Sequence, residues 1–355
     1  MASATSLLER TVSVISPPQA GCAEAAQLAF DAKTKPRGSL GRLEELARMV
    51  AAIRHDANPR TTESAVVVVA GDHGIAVEGV SAYPQEVTGQ MLANFATGGA
   101  AICVLARAVG ARLVVVDAGV NSDFRDPAVL DRRLGAGTAN ASVGPAMSRE
   151  LAVRALEVGI QLAEQLAADG VGLIALGDMG IGNTAISSAL AATLLNRDPS
   201  EMSGRGTGVD DDGLQRKVTI VRRALEVNRP DASDPVGVLA AVGGFEHGVL
   251  AGLVLGAAAN HVPVVLDGFV VGAAALVAAR IEPAAAGSMI ASHLSPEPGH
   301  AVVLSALGLS PLLDLRMRLG EGSGAALGIQ LIDNALRLLQ DMASFEDAGV
   351  TDAGA

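Results

Sequence analysis

Aromatic residues make up only 2% of the 355-residue chain, with no tryptophan and a single tyrosine. An aromatic core is therefore excluded. The interior has to be Ala, Val, Leu and Ile, with 41 glycines permitting close approach. Cysteine is also scarce. Cys22 and Cys103 are too few for a disulfide framework or a cysteine-rich metal site, and they read as thiols in a reducing cytoplasm. No basic run offsets the formal net charge of −12, which argues against nucleic-acid binding because phosphate contacts need clustered Lys and Arg. The most apolar stretch, 248–279, is broken by Asn260, His261, Pro263 and Asp267. It falls short of the roughly 18 uninterrupted apolar residues of a membrane span and reads as helix–strand–helix. The first ten residues, MASATSLLER, lack a basic start followed by an apolar core, so no signal peptide and a cytoplasmic location are expected.

Half of the residues are hydrophobic and 18% are charged, a composition that can bury a large core. Short Val/Ile/Leu runs at 65–70, 113–116, 172–176 and 262–266 each lead into Gly or Asp, and 301–304 offers a further strand. Continuous apolar runs of this kind read as strands buried on both faces of a parallel sheet. Helical spacing occupies 96–108, 149–168, 184–195, 212–227 and 246–259. The alternation predicts an α/β fold: a doubly wound, mostly parallel sheet flanked by helices over 60–310. Helices at 20–31 and 40–55 (within 1–59) and at 322–340 (within 311–341) are expected to form a smaller helical domain from both chain ends. Residues 342–355 read as a mobile tail. In open α/β sheets ligands bind at the carboxyl ends of strands, where these glycines and aspartates fall.

Several segments carry candidate chemistry. GDMGIGNT at 177–184 follows a strand and opens a helix. Gly180 and Gly182 permit backbone approach, and free helix-start N–H groups favour an anion. It is neither a Walker loop nor a dinucleotide fingerprint; a tight strand–helix turn is the plain alternative. SGRGTG at 203–208, with Lys217 after it, can hold a phosphate or be a flexible loop before a solvated lysine. SHLSPEPGH at 292–300 is a polar loop stiffened by two prolines, suited to hydrogen bonding or simply a rigid turn. In RLGEGSG at 318–324, Glu321 lies between glycines just before a helix start, whose dipole is expected to favour the ionised form that a general base needs; it can equally decorate a capping loop. The run after the second strand, Asp117-Ala118-Gly119, lacks the paired acids that diphosphate-using phosphoribosyltransferases place there.

Taken in order, KPRGSLGRLE (35–44), AGDHG (70–74), GVSAYPQEVTGQM (79–91), GGAAI (98–102), GDMGIGNT, GRGTG (204–208), GGFEHG (243–248), LDGF (266–269), SHLSPEPGH and LRMRLGEGSGAA (315–326) form a specific set. It resembles the nicotinate-nucleotide:dimethylbenzimidazole phosphoribosyltransferase family over about residues 20–340. The resemblance implies transfer of ribose 5-phosphate from nicotinate mononucleotide to 5,6-dimethylbenzimidazole for cobalamin, with no cofactor or metal, by a homodimer. It implies Glu321 as the base. The mononucleotide would lie over Gly180, Ile181, Gly182, Asn183, Gly206 and Gly208. Lys217 and Ser295 would contact its phosphate, and Asp267 would face the ribose or nicotinate. The benzimidazole would sit near Ser81, Tyr83, Gln90 and Leu319. Many family members carry Glu where this chain has Asp178, one methylene shorter, which weakens a secondary acid role there. The alternatives are a non-catalytic nucleotide or benzimidazole binding protein, a nucleotide-dependent oxidoreductase, and a metal hydrolase using Asp72, His73, His293 and His300.

Overall fold

The computed structural model describes residues 6–351. Six strands form one sheet: β1 (Glu63–Gly71), β2 (Arg112–Gly119), β3 (Val129–Asp131), β4 (Val171–Met179), β5 (Val264–Leu266) and β6 (Met289–Ala291). Their order is β3-β2-β1-β4-β5-β6, and every neighbouring pair is parallel. The helices are α1 (Leu7–Val14), α2 (Ala20–Asp31), α3 (Arg42–Arg54), α4 (Glu86–Ala96), α5 (Ala101–Val109), α6 (Arg149–Ala168), α7 (Asn183–Leu195), α8 (Pro199–Met202), α9 (Asp211–Asn228), α10 (Pro235–Val242), α11 (Phe245–Ala259), α12 (Phe269–Ile281), α13 (Pro298–Ala306), α14 (Ser323–Asp341) and α15 (Phe345–Ala348).

The run Val66-Val67-Val68-Val69 is apolar at every position because both faces of β1 are covered. Val67 and Val69 join a core with α6, α7 and α9–α13, whereas Val66 and Val68 join a second core with α2–α5 and α14. The terminal helices α2, α3 and α14 pack together as a layer against the sheet. α1 departs from that group. Its Leu7, Leu8 and Val12 pack into the opposite core, and the Leu7 N–H donates to Glu157 at 3.1 Å. Helices α6 and α11 cross almost backbone to backbone: a Cβ on Gly252 would lie 1.9 Å from the Leu156 carbonyl oxygen.

Some expectations are corrected. Residues 301–304 are helical, within α13, because Pro298 at the first helical position starts a helix there. Strands β3 and β6, three residues each, were not anticipated. The segment after 341 contains α15, capped by Ser344 and tied to α2 by the Phe345 N–H donating to the Ala32 carbonyl at 3.0 Å; residues 352–355 lie outside the described ones. The stretch Glu86–Val109 has the length and apolarity to cross a bilayer. It is interrupted at 97–100 into α4 and α5, which bury Leu92, Phe95, Ile102 and Ala106 in the second core.

Candidate active site

Strand order reverses direction at β1 and β4, which opens a crevice at their carboxyl ends. AGDHG leaves β1 here, GDMGIGNT leaves β4, LDGF leaves β5 and SHLSPEPGH leaves β6. The LGEGSG loop lies across them. The Glu321 N–H donates to the Asp178 carbonyl at 3.2 Å, and a Cβ on Gly177 would come within 2.3 Å of the Gly322 nitrogen. Gly320, Glu321 and Gly322 have φ of 82°, 62° and 83°. A left-handed glutamate costs on the order of 1 kcal/mol and persists only where its surroundings hold it.

Asp267 does the holding. Its Oδ2 accepts from the Gly322 N–H at 3.0 Å, and its Oδ1 accepts from Gly324 at 2.8 Å and Ala325 at 3.2 Å. The carboxylate thus caps α14, a long-range substitute for the missing side-chain cap at Gly322. Asp267, expected to face the ribose or nicotinate, is 1% exposed and turned to the Glu321 loop.

Beside this loop lies a partly enclosed cleft with a cavity volume of about 110 Å³. Gly180, Ile181, Asn183, Gly206, Ser295 and Leu319 line it, together with Asp178. Gly182, at φ 95°, is the residue before α7, and Gly208, at φ 109°, closes the 203–208 loop. A Cβ on Gly180 would meet the Gly71 carbonyl oxygen at 2.3 Å, so glycine is required there. Lys217 is fully buried beneath the cleft, its ammonium donating to Thr184 Oγ1 at 2.8 Å and to the Gly204 carbonyl at 3.0 Å. It is not the solvated lysine that the plain alternative required. Of the benzimidazole candidates, Leu319 lines the cleft and Ser81 touches the cleft-lining Thr207. Ser81 Oγ and Thr207 Oγ1 are 3.1 Å apart, Tyr83 and Leu319 are exposed, and Gln90 is on α4, whose Thr88 accepts from the Ile181 N–H.

Sequence reasoning missed several lining residues, Arg318 and Glu297 among them. Arg318 lines the cleft and donates to the Gly206 carbonyl at 3.0 Å, joining the LGEGSG and GRGTG loops. Glu297 accepts from the Gly206 N–H at 2.9 Å. Both stand inside motifs already singled out, RLGEGSG and SHLSPEPGH.

A family model described as phosphoribosyltransferase matches residues 15–350. A nicotinate-nucleotide–dimethylbenzimidazole phosphoribosyltransferase from Desulforudis audaxviator (strain MP104C) is 53% identical over 348 residues, covering 98% of this chain and 99% of the relative. The chain belongs to this phosphoribosyltransferase family. The enzyme of the same name from Roseiflexus sp. (strain RS-1) is 52% identical over 347 residues, covering 98% of each chain. Among solved structures, CobT from Thermus thermophilus aligns with a TM-score of 0.90 at 47% identity, covering 94% of this chain and all of that one.

In this family member the electrostatics of the cleft differ from the sequence expectation at Glu321. Burial pushes its carboxyl up; the Ile102 N–H in the first turn of α5 opposes that, and Asp267 adds to it. The helix start that meets the carboxylate is therefore α5, not α14. Its Oε2 has no hydrogen-bond partner. Asp178 is held well above the usual carboxylate range by burial and by the charges of Asp267, Glu246 and Glu321, although the Asn183 side-chain amide, at 2.8 Å, opposes this. Burial brings Lys217 down to about 8. The proposed hydrolase set does not assemble. His293 and His300 rings are 6.0 Å apart, and the Ser295 N–H donates to His300 Nδ1 at 2.9 Å. His73 instead joins Glu246 and His247, the only cluster of three potential ligands among the described residues.

Proposed function

We propose that the chain transfers the 5-phosphoribosyl group of nicotinate mononucleotide to 5,6-dimethylbenzimidazole, giving α-ribazole 5′-phosphate and nicotinate for the nucleotide loop of cobalamin. The observation that carries the site assignment is the Gly320-Glu321-Gly322 turn. It fixes a buried carboxylate, with one oxygen free, beside a cleft built from phosphate-suited glycine loops.

The donor's glycosidic nitrogen is a cationic pyridinium. When the C1′–N bond breaks, its electron pair neutralises that charge, so the leaving group is already activated and no diphosphate departs. The acceptor's free ring nitrogen attacks C1′ from the opposite side, which turns a β linkage into an α one. The acceptor's other nitrogen then loses its proton, and Glu321 takes it. A base of this kind contributes about 10²–10⁴ in rate; alignment of both rings with C1′ supplies much of the remainder. The glycine loops, Ser295 and Lys217 anchor the phosphate. The cationic Arg318 beside them offsets the carboxylate of Glu297 that shares the cleft.

Membership of the family supports a homodimer, and two unpaired cysteines support a reducing, cytoplasmic setting. Incubating purified protein with nicotinate mononucleotide and 5,6-dimethylbenzimidazole should yield α-ribazole 5′-phosphate and equimolar nicotinate by chromatography. Ligand binding without nicotinate release would instead establish a binding protein.

A further inference from the structure

Behind the cleft, outside the machinery described above, His73, Glu246, His247 and Ser187 form a chain with no solvent contact. Glu246 Oε1 lies 2.8 Å from His73 Nε2 and 2.8 Å from His247 Nδ1. On its far side, His247 Nε2 is 2.9 Å from Ser187 Oγ. Ser187 Oγ also lies 2.8 Å from the Asn183 carbonyl, to which its hydroxyl can donate while its lone pairs face His247 Nε2. Asn183 in turn donates its side-chain amide to Asp178 Oδ2 at 2.8 Å, and both residues line the cleft. Space around the chain is tight: a Cβ on Gly244 would meet His73 Cε1 at 2.4 Å, and one on Gly71 would meet Glu246 Oε2 at 2.7 Å.

The same three residues are a conceivable metal set, and distance decides between the readings. A tetrahedral site with ligand bonds of about 2.0–2.1 Å keeps its ligand atoms roughly 3.3 Å apart. The observed 2.8 Å separations fit close ion pairs instead. Neither ring nitrogen meets the oxygen in a well-aligned hydrogen bond, so the attraction is chiefly ionic.

We infer that this buried chain makes Glu246 a positioning residue for the transfer: it fixes Asn183, whose amide holds Asp178 in the cleft, while the Glu246 charge, against the pull of that amide, favours the neutral, hydrogen-bond-donating form of Asp178. The inference rests on the function proposed above. Burial alone would raise the Glu246 carboxyl; the two imidazoles outweigh that and hold it below its ordinary range, hence ionised. The groups facing Asp178 are then Glu246 from α11, Asp267 after β5 and Glu321 before α14, all carboxylates, with the Asn183 amide as the one donor. Glu246 faces His73, His247 and, after β1, Asp72. Two carboxyls with opposed tasks result: Glu321 accepts a proton, while Asp178 keeps its own.

The test compares kcat against pH for wild type, Glu246→Gln, Glu246→Asp and the double variant Glu246→Gln/Asp178→Asn, as ratios to wild type in which the acceptor's own protonation cancels. Removing the Glu246 charge should move the alkaline limb about one pH unit lower. Glu246→Asp, which keeps the charge, should restore its position even if Tm falls. In the Asp178→Asn background the Glu246 substitution should move nothing further. A fall in Tm with an unmoved limb would reduce Glu246 to a purely structural part. Stoichiometric metal in the purified protein, lost in Glu246→Gln, would make the cluster a metal centre and overturn the inference. Absence of α-ribazole 5′-phosphate with wild type sinks the proposed function and this inference together, whereas product with an unmoved limb sinks the inference alone.

Discussion

Replacing Lys217 with methionine separates its role in folding from its role at the phosphate. The side chain is fully buried, its ammonium bonded to Thr184 Oγ1 and the Gly204 carbonyl. Burial lowers it from 10.5 to about 8, with Glu297 opposing. Between those values the unfolded chain binds more protons than the folded one, so unfolding free energy should climb as pH rises from 8 to 10.5. The gain is about 3 kcal/mol, and it should vanish in Lys217→Met. Donor affinity should run the other way, weakening above pH 8 as the ammonium is lost. At pH 7 a charge-assisted hydrogen bond to phosphate is worth about 1.5–3 kcal/mol. The variant's KM for nicotinate mononucleotide should therefore rise about 10- to 150-fold. Initial rates at varied donor, and denaturant unfolding at pH 7.5 and 10, measure both. An unchanged KM would remove Lys217 from the site, and an unchanged alkaline gain would refute the buried-ammonium reasoning.

Asp267→Asn leaves one acceptor oxygen for three backbone donors, so it should cost about 1–2 kcal/mol in denaturant unfolding and lower kcat by loosening the Glu321 loop. Gly252→Ala forces a Cβ to 1.9 Å from the Leu156 carbonyl oxygen and should lower Tm by several degrees, or prevent folding, as read by calorimetry. Because burial raises Glu321 and a base must be deprotonated to act, the acid limb of kcat should lie above the ordinary glutamate value of about 4.3 and disappear in Glu321→Gln; a limb at or below 4.3 would contradict this.

Much of the fold was legible because apolar runs such as 65–70 have few other homes than a sheet covered on both faces. Helix α6 was bounded to the residue: Ser148 caps its start, and Asp169 and Gly170 follow its end. Strands β3 and β6 escaped because three residues leave too little periodicity, and their pairing comes from their neighbours. The run 301–304 was misread because a short apolar segment suits helix and strand alike, and Pro298 shortly before it was the stronger signal. At the site, the glycine loops announced themselves through spacing. Asp267 did not, because capping a helix that begins as far along the chain as Ser323 leaves no local mark. The partnership of His73 with Glu246 was equally hidden: AGDHG and GGFEHG were both visible, but only the β1–β4 switch point explains their meeting.

The most direct measurement is the single-turnover rate of Glu321→Gln with saturating nicotinate mononucleotide and 5,6-dimethylbenzimidazole. A base that draws the proton from the acceptor predicts a loss of about 10²–10⁴ in transfer, with donor affinity and Tm near those of the wild type. Transfer within a few-fold of wild type would show that the proton leaves by another route.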